Sequence, residues 1–124
     1  MLSLRRTKRV LLLDDDAAIQ RLVASILKSA GFRTDVVDKG SLAIEKLEKT
    51  EYDAILLDLM MPTEGGLTVV KHLRAHKPEL LKRALLLTAT PESVVRTVEG
   101  EVAGVVHKPF TREQLVDAVT RVAK

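Results

Sequence analysis

The residues that offer chemistry in this sequence are four aspartates, a threonine and a lysine, each placed straight after a short apolar run. Asp14, Asp15 and Asp16 follow Val10-Leu11-Leu12-Leu13, Asp58 follows 54–57, Thr88 follows 83–87, and Lys108 follows 104–107. Each run reads as a buried strand, so each polar group marks a strand's carboxyl end. Parallel strands bring all of them to one rim, which is where open α/β sheets bind ligands. Carboxylates gathered there repel one another. Two unit charges about 4 Å apart cost roughly 4 kcal/mol at an effective dielectric of 20, a large share of the ~5–15 kcal/mol that stabilises a domain. Positive charge must offset this, from Lys108 or from a divalent cation. An all-oxygen donor set with few protein ligands suits Mg²⁺. A carboxylate beside Mg²⁺, with an ammonium and a hydroxyl in reach, suits phosphoryl transfer in which the carboxylate is the nucleophile.

The elements that must position these groups alternate regularly. Strands are predicted over 8–13, 33–37, 54–57, 83–87 and 104–107. Ile19, Leu22, Val23, Ile26, Leu27 and Ala30 recur at helical spacing, with Gly31 where a helix C′ glycine belongs. Ala43, Ile44 and Leu47 give a short second helix over 41–49, and Leu67, Val70 and Leu73 a third that ends near His76, before Pro78. A fourth is predicted from Pro91 to about Val98, stopped at Gly100. Thr111 and Gln114 form a capping box ahead of a fifth helix carrying Leu115, Val116, Val119 and Val122. Asp16 reads as the N-cap of the first helix. The pattern is (βα)₅, an α/β fold with a mostly parallel sheet covered on both faces.

Composition narrows the function classes. The 124 residues make one domain, divided into a basic arm over 1–7 and a folded body over 8–124. No cysteine is present, which excludes disulfides, thiolate catalysis and Cys-ligated metals. Aromatic residues are only 2%, too few for a base-stacking platform. The net charge of +3 comes from Arg5, Arg6, Lys8 and Arg9, with no acid before Val10, so the body is near neutral and nucleic-acid binding by it is not expected. That arm reads as a solvated terminus. The run Val10–Leu13 is far shorter than a secretory or membrane segment requires, so a soluble, cytoplasmic protein is expected.

The set Leu-Leu-Leu-Asp14-Asp15-Asp16, Asp58-x-x-Met61-Pro62, Thr88-Ala89 and Lys108-Pro109-Phe110 resembles the response regulator receiver domain of two-component signalling, and the resemblance spans essentially the whole chain. It implies the flavodoxin-like strand order 2-1-3-4-5. It implies that Asp58 accepts a phosphoryl group from a sensor histidine kinase or phosphotransfer protein. Asp14, Asp15, Asp58 and the backbone carbonyl of Met60 would hold Mg²⁺. Thr88 and Lys108 would bind the phosphoryl group, and the peptide before Pro109 would be cis. The surface made by the fourth helix, fifth strand and fifth helix would then switch and engage a downstream effector, with Val94, Val95, Val98 and Val105 as its apolar part. The protein would not be a free-standing enzyme.

Three features depart from the common receiver pattern. The switch position, usually aromatic, is Val105; the segment from Thr88 to Lys108 is about two residues short; and Met60 and Thr90 stand two residues after Asp58 and Thr88, positions that the resemblance implies flank the path of the water attacking the acyl phosphate. Val105 and the shortened segment motivate a second reading, a degenerate receiver that binds partners independently of phosphorylation. A third, a Mg²⁺-dependent phosphohydrolase, expects a second Asp two residues after the nucleophile, and Met60 stands there. His72 and His76 are spaced i, i+4 as a metal pair would be, but Leu73 replaces the Glu of the metalloprotease motif, so a solvated basic face with Lys71, Arg74 and Lys77 is expected. His107 reads as edge-strand packing, and Gly65-Gly66 as a loop without P-loop context.

Overall fold

The computed structural model describes residues 6–62, 64–89 and 92–124. Expectations that fall on positions 1–5, Thr90 and Pro91 lie outside the described residues.

Five strands, β1 (Arg9–Leu13), β2 (Arg33–Val37), β3 (Ala54–Leu57), β4 (Ala84–Thr88) and β5 (Gly104–His107), form one parallel sheet in the order β2-β1-β3-β4-β5. The helices are α1 (Ala17–Ser29), α2 (Gly40–Lys49), α3 (Gly66–His76), α4 (Glu92–Val95) and α5 (Arg112–Val122). Continuous aliphatic strands arise because side chains alternate between two faces that are both covered. Leu11, Leu13, Ile55, Leu57 and Leu86 face the side packed by α2, α3 and α4, through Ala43, Leu47, Val69, Val70, Leu73 and Val95. Val10, Leu12, Ala54, Leu56, Leu85 and Leu87 face the other side, packed by α1 and α5 through Val23, Leu27, Leu115 and Val119.

The local signals behave as their chemistry dictates. Asp16 caps α1, accepting from the amides of Ala18 at 2.8 Å and Ile19 at 3.2 Å. Gly31 follows α1 at φ 92°, a left-handed conformation that favours glycine. Thr111 and Gln114 close a reciprocal capping box on α5.

Two expectations are corrected. The helix predicted to run to about Val98 is only the single turn Glu92–Val95, followed by turns through Glu101. Val95 and Val98 are buried in the core rather than displayed on an output face, while Val94 and Val105 are half-buried. Val95 and Val98 join the apolar cluster with Leu73, Leu81 and Leu86 on the α3 side of the sheet. A 3₁₀ segment, Pro78–Arg83, joins α3 to β4.

At the amino-terminal end of the strands, Tyr52 donates its hydroxyl to Asp35 at 2.6 Å, and Arg9 donates to the same carboxylate oxygen at 2.8 Å. Burial first, and then the Asp35 acceptor, push the Tyr52 phenol up to about 12. Burial opposes ionisation of Asp35, but Tyr52 and Arg9 outweigh it and hold the carboxyl below its usual range. The basic residues there are not simply solvated. Arg6 reaches Asp53 at 3.2 Å, and Lys8 donates to the Ala123 carbonyl.

Candidate functional site

The sheet ladder extends one residue past the strands and fixes the rim. Asp14 donates its amide to the Val37 carbonyl at 3.1 Å, Asp58 to Leu13 at 3.0 Å, and Lys108 to Thr88 at 3.0 Å. Backbone pairing therefore sets where Asp14, Asp58 and Lys108 leave the sheet, and their side chains converge. Asp14 and Thr88 are fully buried, Asp58 nearly so, and Asp15 is exposed. Carboxylate oxygens of Asp14, Asp15 and Asp58 all lie within 4.8 Å of one another. The Lys108 ammonium bridges two of them, 2.7 Å from Asp14 Oδ2 and 3.3 Å from Asp58 Oδ2.

The other carboxylate oxygens are held by local amides. Asp14 Oδ1 accepts from the Asp16 amide at 2.9 Å, and Asp58 Oδ1 from the Met60 amide at 2.9 Å. Burial, reinforced by the Asp14 charge, raises the Asp58 carboxyl above its ordinary value, although the Met60 amide and Lys108 pull the other way. Burial opposes the charge on Lys108, but Asp14 and Asp58 overcome it and hold the ammonium above its usual value. Three carboxylates thus face one ammonium. The excess negative charge and the hard oxygen donors fit a magnesium ion, with the exposed Asp15 open to water.

The Lys108–Pro109 peptide is cis. Val105 packs half-buried against the core on the α3 face, and Met60 is 60% exposed beside Asp58. His107 is exposed on edge strand β5.

Two contributors escaped sequence reasoning. Gln20, one turn into α1, donates its side-chain amide to the Asp14 carbonyl at 2.6 Å. Glu64 caps α2 from the loop after Asp58: its carbonyl accepts from Gly40 at 2.7 Å and its carboxylate from Ser41 at 2.8 Å. The bonds to Ser41 hold the Glu64 carboxyl below its ordinary value. Position i+4 from a capping Asp is a weak hint for Gln20. No local signal marks Glu64, because its helix lies more than twenty residues upstream.

A five-stranded 2-1-3-4-5 sheet with an acidic cluster and a lysine at its carboxyl rim defines the flavodoxin-like class of doubly wound α/β proteins. Within that class, the chain belongs to the response regulator receiver domain family, whose match covers residues 10–120. Chemotaxis protein CheY-3 of Vibrio cholerae is 28% identical over 96% of this chain and 94% of its own length. Transcription factor SKN7 of Saccharomyces cerevisiae is 31% identical over 98% of this chain, which spans only 20% of that protein. The DNA-binding response regulator MtrA of Mycobacterium tuberculosis is 32% identical over 90% of this chain, which spans 49% of it. Among solved structures, response regulator TrrA of Thermotoga maritima, in complex with Mg²⁺ and BeF, superposes with a TM-score of 0.82 at 30% identity, covering 93% of this chain and 98% of that one. The receiver domain of sensor histidine kinase PA1611 of Pseudomonas aeruginosa, with a magnesium ion in its active-site cleft, gives 0.84 at 27% identity, covering 95% and 98%. Among the described residues, no helix is long and apolar enough to cross a membrane.

Proposed function

We propose that this domain is a phosphorylation-dependent switch, with Asp58 as the phosphoryl acceptor from a sensor histidine kinase or phosphotransfer protein. The observation that carries the reading is the convergence of Asp14, Asp15 and Asp58 with Lys108 bridging two of them. A carboxylate oxygen of Asp58 attacks the phosphorus of a phosphohistidine. The P–N bond breaks, its electrons return to the imidazole, and an aspartyl phosphate forms. Asp14, Asp15, Asp58 and the Met60 carbonyl are the residues that would hold Mg²⁺. When bound, the ion supplies charge stabilisation to the phosphoryl oxygens. Lys108 presents its ammonium to the same oxygens, and Thr88 faces the phosphoryl group from the end of β4. The protein is an acceptor in this reaction rather than a free-standing enzyme. A downstream effector then reads the state of the surface formed by α4, β5 and α5.

The buried valines alter that surface. Val95 and Val98 are committed to the core, and Val105 offers no ring to rotate, so switching rests on movement of the backbone between Thr88 and Lys108. The same two features favour the second reading, a phosphorylation-independent interaction module. One experiment separates them. The protein is incubated with Mg²⁺ and acetyl phosphate or beryllofluoride, and amide shifts are compared with those of Asp58→Asn. The switch requires shifts that reach residues 88–108 in wild type and vanish in the variant. An unresponsive wild type overturns it in favour of the module.

A further inference from the structure

Away from the Asp cluster, α3 places two imidazoles side by side at the opposite end of the fold, with a carboxylate beside one of them. His72 and His76 lie one turn apart on α3, with ring centroids 4.5 Å apart and planes inclined at 38°. Across the α2–α3 groove, Glu48 places Oε1 3.9 Å from His72 Nε2. His72 is partly shielded by this groove, with 27% of its side chain exposed, while Glu48 and His76 remain open to solvent. We propose that His72, His76 and Glu48 form a surface site for a borderline transition-metal dication of the Zn²⁺, Ni²⁺ or Cu²⁺ class.

Three physical features favour a cation there. Imidazoles at i, i+4 project from the same helix face, so small rotations bring two nitrogens to the roughly 2.0–2.1 Å that zinc requires, with water completing the shell. Imidazole selects this class of metal over Mg²⁺. The site also lies where two helices finish side by side: α3 ends at His76, and Lys77 just beyond it donates to the Leu47 carbonyl in the last turn of α2. Both negative dipole ends attract a cation.

Of the neighbouring positive charges, one is neutralised by a carboxylate. Arg74 forms a two-pronged pair with Glu101 at 2.6 and 2.5 Å, and Lys77 is turned to the Leu47 carbonyl, leaving Lys71 exposed. Glu48 supplies the neutralising carboxylate and ties α2 to α3 through the metal. The site is independent of the acidic rim. α3 starts at Gly66, beside Asp58, and His76 lies ten residues on, about 15 Å away at 1.5 Å per residue.

The test is calorimetric titration with Zn²⁺ in excess Mg²⁺, on wild type, His72→Ala, His76→Ala and Glu48→Gln, with Cu²⁺-induced broadening of amide signals as the map. One Zn²⁺ site in wild type, weakened at least about tenfold in each histidine variant and less in Glu48→Gln, with broadening centred on 48 and 72–76, supports the proposal. Equal affinity in wild type and His76→Ala, no binding in wild type, or broadening confined to Asp14, Asp15 and Asp58 overturns it. His76 is exposed, so its variant keeps the fold, and metal-free melting temperatures check this directly.

Discussion

Gly66 donates its amide to the carbonyl of Asp58 at 2.6 Å, closing the loop that carries the proposed acceptor onto the first turn of α3. The approach leaves no room for a side chain. A Cβ on Gly66 would lie 2.7 Å from the Asp58 oxygen and 2.9 Å from Leu57 Cβ, against backbone and buried core rather than a flexible tip. Gly66→Ala is expected to destabilise the domain by about 1–3 kcal/mol in denaturant unfolding and to lower acetyl-phosphate labelling. An alanine variant as stable as wild type would show that the loop relaxes freely.

Asp58 is a buried carboxylate whose ionisation is resisted first by its surroundings and then by Asp14. Its folded-state pKa is raised, so it subtracts stability at neutral pH. That deficit grows as pH rises from the ordinary carboxylate range through the raised value, and it is absent at acid pH, where both states are protonated. Without divalent cations, Asp58→Asn should therefore stabilise the domain at pH 7, by on the order of 1 kcal/mol. The gain should fade below about pH 4. Melting curves at the two pH values check this, and a variant that melts lower at pH 7 contradicts it.

Binding of Mg²⁺ to the native state alone raises the melting temperature by mass action. Asp15 is the exposed member of the acidic cluster, so Asp15→Asn removes a proposed ligand without opening the core. Its Mg²⁺-induced rise should be clearly smaller than that of wild type. Identical rises in both proteins would remove Asp15 from the metal site.

Tyr52 is the single tyrosine of the chain, so its ionisation is read directly from ultraviolet absorbance. Its phenol is pushed up to about 12 in the folded protein, by burial and by Asp35. Because the folded state holds its proton more tightly, the associated stability is complete below about pH 10 and is lost as pH rises from there towards 12. The native absorbance midpoint should sit near 12 and fall to near 10 in denaturant. A native midpoint near 10 would mean that neither the burial of Tyr52 nor its Asp35 contact persists in solution.

The parallel sheet and its acidic rim were legible because they rest on local, repeated signals: apolar runs ended by Asp14, Asp58, Thr88 and Lys108, and caps such as Asp16 and Thr111. The inward turn of Val95 and Val98 was not legible. Helical spacing says that valines share a face, but not whether that face meets solvent or the core. Gln20 and Glu64 were missed for a related reason. Polar side chains with ordinary spacing acquire their roles only when tertiary structure brings a distant carbonyl or helix start beside them.

Helix α2 has no side-chain cap at its own N-cap residue, Lys39, and borrows Glu64 from the far side of the acceptor loop. The first amides of that helix are therefore tethered to a strand of chain only six residues beyond Asp58. Hydrogen exchange at Gly40 and Ser41 becomes a remote gauge of the loop's posture, reporting strain at the rim from a helix that shares none of its ligands.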